Sequence, residues 1–245
     1  VIERCFFSGS DFGIRWLYGY SGPMIVRNNQ FSRESAKSSG YFMDGVGIGG
    51  DEDQQAVAYN NSCFIKYTNG TTADVIDAVT ASNNAVHVNL NGGGASNIDG
   101  IYAQAYGNNC VFITNGSNNG NNINGHGTNL DLGGNITGQD PKFRNTASGD
   151  LSLQGTSPAI LAGRSLADVT TDFSGSLRDY TFLQGGLEKN PSAPDIGAVV
   201  FHQSSDRLRS GLLNDPVKIM IGERDAATGS YPTISRTGDP DFTGR

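Results

Sequence analysis

Tyr106-Gly107-Asn108-Asn109-Cys110-Val111-Phe112-Ile113-Thr114-Asn115-Gly116 reads as an Asn-Asn turn, a short apolar strand and an Asn-Gly turn. A close relative stands upstream as Tyr59-Asn60-Asn61-Ser62-Cys63-Phe64-Ile65-Lys66-Tyr67-Thr68-Asn69-Gly70, and a weaker one as Ile25-Val26-Arg27-Asn28-Asn29-Gln30-Phe31-Ser32. Counting the second Asn of each pair, and adding Asn83-Asn84, gives Asn29, Asn61, Asn84 and Asn109, with gaps of 32, 23 and 25 residues. Cys5 lies 24 residues before this series and Asn135 lies 26 after it. The long gap holds a Gly- and acid-rich excursion from Gly45 to Asp53, which reads as a loop inserted into a regular turn. A period near 24 built from short strands and turns is what a coiled parallel sheet requires. The fold expected is therefore all-β, a right-handed parallel β-helix, with the four Asn at equivalent corners.

Composition points the same way. The 245 residues include 34 Gly, and only 17% are charged. Gly and Asn tolerate positive φ and so supply corners to a chain that turns every few residues. The 36% of hydrophobic residues, in strand-sized runs, suffice for a narrow core. A net charge of −7 provides no basic patch and argues against a nucleic-acid partner. No apolar run approaches the roughly eighteen residues of a membrane helix, so no membrane partner is expected. The chain opens Val1-Ile2-Glu3-Arg4, directly in strand-like sequence and without a secretory leader, and reads as one segment of a larger assembly.

Several stretches carry candidate chemistry. Phe12 to Tyr20 alternates, placing Trp16, Tyr18 and Tyr20 on one face. Turned outward, these rings form a platform for sugar or a partner subunit; turned inward, they are core. Asp51-Glu52-Asp53 is the densest acidic cluster and, beside glycines, offers oxygen ligands to Ca²⁺, although its spacing matches no EF-hand loop and such triplets are commonly just solvated. No other cofactor is implied. In Ala85 to Leu90, Val86, Val88 and Leu90 point one way, which leaves His87 facing the surface. Cys63 and Cys110 occupy comparable places two coils apart, beyond the ~7 Å disulfide limit on Cα distance, and read as buried fillers without a bond. Asn-x-Ser/Thr sequons at Asn60, Asn69, Asn115 and Asn135 are expected by chance in so Asn-rich a chain.

From Gln139 the pattern changes. Asp140-Pro141-Lys142-Phe143, Gly149-Asp150-Leu151-Ser152-Leu153, Ser157-Pro158-Ala159-Ile160 with Ala162-Gly163, and Pro194-Asp195-Ile196-Gly197-Ala198 follow in order. Together they resemble the closing segment of right-handed parallel β-helix proteins of bacterial surfaces and phage particles, kin to the pectate-lyase-like group. Two departures stand out: Leu161 and Val200 occupy places where that family often carries an acid. The segment reads as a cap, with Phe143, Leu151, Leu153 and Ile160 available to cover core. Three regions follow: 1–138 as coils, 139–203 as closing coils and cap, and 204–245 as an extension. In that extension, residues 204–214 suit a short helix and Val217 to Ile221 a strand, and the extension is expected to serve assembly.

The resemblance implies two classes of function. The first is a structural or carbohydrate-contacting β-helix of a virion appendage (tail fibre, tailspike or capsid appendage) or of a bacterial surface, extracellular and partnered by copies of itself, other subunits or polysaccharide. The second is a polysaccharide lyase or glycoside hydrolase working in a lateral groove. For that activity Asp51, Asp53, Asp74 and Asp77 offer acids, Arg27 or Lys66 a base, and Asp77 with Asp99 a carboxyl pair on neighbouring coils. Glycosidases hold such a pair about 5–5.5 Å apart when retaining and about 6.5–9.5 Å apart when inverting. No catalytic block stands out in the sequence, and fold alone confers no activity.

Overall fold

The computed structural model describes residues 1–8, 14–15, 24–36, 48–49, 56–67, 72–90, 97–114, 118, 120–175, 178, 180–183, 186–189, 194–199 and 201. The chain divides into Val1–His202 and Gln203–Arg245, and the second unit lies outside the described residues, as does the assembly role expected of it.

The architecture is a parallel β-solenoid. One sheet stacks Ile2–Glu3, Met24–Arg27, Ala56–Tyr59, Thr72–Ser82, Asn97–Gly107 and Ile123–Asp131, with Ile14–Arg15 and Ile48–Gly49 joining its side. The second stacks Phe6–Ser8, Gln30–Ala36, Ser62–Tyr67, Ala85–Leu90, Cys110–Thr114 and Ile136–Thr137. Every pairing within both sheets is parallel. Among the described residues there is no α-helix.

The long strands Thr72–Ser82 and Asn97–Gly107 are bent. Their register skips the pairs at Val75/Gly100 and Val79/Gln104, and consecutive residues Gly100 and Ile101 are both buried. A flat strand cannot direct two successive residues inward, so the chain turns a corner at Gly100. A Cβ on Gly100 would run into Val111 Cγ1 and sit 2.7 Å from Asn122 O, so only glycine fits there. Val26, Ile65, Ile76, Val86, Val88, Ile98, Ile101 and Val111, all fully buried, fill the interior. Stacked Phe7 and Phe31 rings, 4.8 Å apart, extend it toward the first coil.

The sharp corner between the two sheets belongs to the Asn-Asn pairs. The first Asn of each pair is left-handed: Asn28, Asn60, Asn83 and Asn108 have φ of 51–57°, and Arg4 takes that place in the first coil at 55°. The second Asn turns inward and forms a ladder. The Oδ1 atoms of Asn61, Asn84, Asn109 and Asn135 each accept from the backbone N–H and the Nδ2 of the preceding ladder residue, at 2.9–3.2 Å. The second proton on each Nδ2 of Asn29, Asn61, Asn84 and Asn109 goes to a backbone carbonyl, of Ile2, Val26, Ala58 and Ala81 respectively, at 3.0 Å. Cys5 starts the series by donating its N–H to Asn29 Oδ1. The equivalent corners expected of Asn29, Asn61, Asn84 and Asn109 are thus present.

Two expectations need correction here. Cys5, Cys63 and Cys110 are free, but the last two do not occupy comparable places. Cys63 is in register with Val86 and Val111, facing the interior, whereas Cys110 aligns with Ala85 and Ser62, facing outward. A one-residue offset in a strand reverses the side, and Ser62 supplies it. The second correction concerns the closing segment. Phe143, Leu151, Leu153, Ala159 and Ile196 pack with Phe64, Ala85 and Cys110, on the outer face of the second sheet. They build a second core along the flank of the solenoid and do not plug its end. The segment contains an antiparallel pair, Phe143–Asn145 with Asp150–Leu153, joined through the 3₁₀ turn Thr146–Ser148. The acid missing after Ile160 is replaced from elsewhere in the chain. Asp195 accepts from Leu161 N–H at 2.7 Å and Phe201 N–H at 2.5 Å, holding Leu161 at φ 54°.

Candidate functional site

The corner at Gly100 gathers polar side chains. Thr72–Ser82 and Asn97–Gly107 place Asp74 opposite Asp99 and Asp77 opposite Tyr102, and Ile123–Asp131 adds Asn124 opposite Tyr102. Adjacent parallel strands lie about 4.8 Å apart, so these five half-buried residues form two short rows, Asp74 with Asp99 and Asp77 with Tyr102 and Asn124, which the hydrogen bond from Asn124 to Asp99 joins into one polar column. Asp99 is firmly held: its Oδ1 accepts from Asn121 N–H at 2.6 Å and its Oδ2 from Asn124 Nδ2 at 2.7 Å. The carboxyl pair on neighbouring coils is therefore Asp74 with Asp99. Asp77 stands opposite Tyr102 because the two strands keep one constant register, which also sets Asp74 against Asp99.

The two acids are not equivalent. Burial, and secondarily the charge of Asp99, pushes the Asp74 carboxyl from its ordinary 3.8 up to about 7. Near neutral pH a large fraction of Asp74 therefore carries a proton, and an acid poised near neutrality is what acid–base chemistry uses. The same shift has a consequence for stability. Because the folded state holds this proton more tightly than the unfolded chain, the associated stability is complete below pH 4 and is lost as pH rises through about 7. Asp74→Asn is expected to flatten this dependence. Urea unfolding should find the variant more stable than the parent by about 1–4 kcal/mol at pH 8, and the difference should be smaller at pH 4.

Neither proposed base joins this pair. Arg27 is engaged by Glu3 Oε2 at 2.6 Å and by the carbonyl of Asp168, on the first sheet beside the closing segment. Lys66 lies on the second sheet, in register with Asn89. Among the described residues there is no group of three or more His, Cys, Asp or Glu able to hold a metal ion. Trp16, Tyr18 and Tyr20, and Asp51, Glu52 and Asp53 with the Ca²⁺ they would bind, lie outside the described residues.

A second constellation is chemically suggestive and proves structural. His87 does not face solvent; its side chain is 14% exposed, between Phe64 and Phe112 with ring centroids 5.3 Å away on each side. Its Nδ1 lies 3.3 Å from Asp140 Oδ1 of the closing segment, and its Nε2 is buried with no partner among the described residues. Alternation correctly placed His87 on the outer side of its strand, but the covering segment arrives from more than fifty residues downstream. Cys110 lies in the next strand, with its Sγ donating to Gln139 O at 3.6 Å. Burial and the charge of Asp140 push this thiol up to about 12, so it remains protonated and is no nucleophile. Burial also lowers the His87 pKa, against the opposing pull of Asp140, which favours the neutral imidazole. Cys, His and Asp here fasten the closing segment to the sheet.

Comparison with protein-family models, curated proteins and solved structures finds no match. The fold and the column are therefore the ground for a functional reading. Among the described residues no helix is long and apolar enough to cross a membrane.

Proposed function

We propose that this chain is a structural, carbohydrate-contacting β-helix of a virion appendage (tail fibre, tailspike or capsid appendage) or of a bacterial surface, similar to the pectate-lyase-like group and working outside the cell among copies of itself or other subunits. The observation that carries the reading is the column Asp74, Asp77, Asp99, Tyr102 and Asn124. It displays planar acceptors, an amide and an aromatic ring at the strand spacing along one lateral corner of a rigid scaffold. Sugar rings are recognised by this combination, in which hydroxyls meet carboxylates and amides while an apolar face rests on an aromatic ring.

A second reading, cleavage of a polysaccharide in a lateral groove, is favoured by one observation: Asp74 is raised to about 7 beside Asp99. A protonated acid next to a carboxylate is the pair that glycoside hydrolysis employs.

One experiment addresses both. The chain is screened on an array of bacterial surface polysaccharides, and each bound glycan is then incubated with it and assayed for new reducing ends and unsaturated products. Binding that falls about tenfold in Tyr102→Ala, with unchanged thermal stability and no product, supports the contact role. Product formation that disappears in both Asp74→Asn and Asp99→Asn supports the enzyme. Binding indifferent to Tyr102, or no binding to any glycan, overturns the assignment of the column as a carbohydrate surface.

A further inference from the structure

We infer that the closing segment is a lateral lock that couples the second coil of the solenoid to the fifth, with Arg178 as its clasp. In a solenoid each coil touches only its neighbours, so coils open independently and fray from the ends. This chain departs from that rule. The left-handed Asn of four successive corners each donates Nδ2 to a carbonyl of the closing segment. Asn108 holds Ala162 at 3.2 Å, Asn83 holds Arg164 at 2.7 Å, Asn60 holds Asp195 at 3.4 Å and Asn28 holds Thr171 at 2.8 Å. The inner Asn of each pair thus links adjacent coils, and the outer one ties its coil to a segment that crosses four of them, with Asn83 also donating to Asn60 Oδ1 at 3.4 Å.

Arg178 closes the arrangement at the second coil, at the Asn28 corner. Its residue is 3% exposed. One Nη atom reaches Asn28 Oδ1 at 2.7 Å, Gly197 O at 2.7 Å and Ala198 O at 2.9 Å. Its Nε reaches Thr171 O at 3.1 Å and Asn28 Oδ1 at 3.2 Å, and the other Nη reaches Asp195 O at 3.3 Å. One planar fork therefore gathers the Asn28 corner and both limbs of the segment, residues 171 and 195–198. The point charge of a lysine has no such fork. A coil held this way opens only when the clasp is released, so the second coil shares the protection of the centre.

Amide hydrogen exchange on the full chain reads this directly. In the parent, the Asn28 and Gln30 amides, which bond Tyr59 O and Cys5 O, should exchange as slowly as the central Ala85 amide, which bonds Asn61 O. Arg178→Ala should accelerate these second-coil amides ~100-fold or more while leaving Ala85 and Cys110 unchanged, since removing one side of a buried charged network is strongly unfavourable. Should Arg178→Ala not fold, Arg178→Lys and Asn28→Gly serve. The glycine preserves the left-handed corner and removes only the amide, and about tenfold acceleration confined to the second coil and the coil before it is expected. An Asn28 amide that already exchanges fast in the parent overturns the lock. So does acceleration spread evenly over all coils, or no acceleration in the milder variants.

Discussion

Replacing Asn84 by Ala is expected to cost about 3–6 kcal/mol, a large part of the roughly 5–15 kcal/mol that holds a domain of this kind together. Asn84 is fully buried in the middle of the ladder. Its removal leaves the Asn61 backbone N–H and one Asn61 Nδ2 proton without the Oδ1 they share. Ala58 O and Asn109 Oδ1 each lose a donor as well. Each buried group left unpaired costs about 1–3 kcal/mol. The control is Asn108→Gly, at the outer position of the next corner. Glycine adopts its φ of 54° readily, and the side chain's bond to Ala162 O, at 3.2 Å, is a tie to the closing segment and not part of the ladder. Urea unfolding should show a large fall in midpoint for Asn84→Ala and a change of under about 1 kcal/mol for Asn108→Gly. Equal effects would mean that the inner ladder is no more important than the outer ties.

The second large effect is expected at Gly100, where Gly100→Ala should destabilise by about 3 kcal/mol. The added methyl meets Val111 Cγ1 and the backbone oxygen of Asn122, 2.7 Å away. Val111 can yield only by leaving its place in the core, and Asn122 O is held by the Ile101 N–H at 3.1 Å. The pair Gly100→Ala and Val111→Ala separates these contributions. Val111→Ala alone opens a cavity, and the added methyl partly fills it, so the double variant should be more stable than the sum of the single effects predicts. Strict additivity would show that the obstruction is entirely the Asn122 carbonyl.

The legibility of the fold follows from the nature of its determinants. Asn29, Asn61, Asn84 and Asn109 were readable because a corner residue must satisfy a local backbone requirement and recur at the coil length. Both constraints leave a trace along the chain. The column at the candidate site was readable only in part. Asp74, Asp77 and Asp99 could be named as acids, but which acid faces which depends on the register of the two strands, which sets Asp74 against Asp99 and Asp77 against Tyr102. Nothing local distinguishes Tyr102 and Asn124; register sets both in line with Asp77, and Asn124 reaches Asp99 through its side-chain amide.

The parallel coil, its period and the inward course of Val86, Val88 and Leu90 were determined by the sequence itself, since alternation and turn chemistry act over a few residues. Only the tertiary structure decided that the closing segment lies along the flank, and with it the environment of His87 and the thiol of Cys110. It also decided that Asp74 is the acid pushed to about 7 and that Arg178 meets Asn28 from 150 residues away. The reason is the same in each case. Burial, pKa and long-range hydrogen bonding depend on which surfaces meet, and two surfaces distant in sequence carry no local pattern that announces their contact.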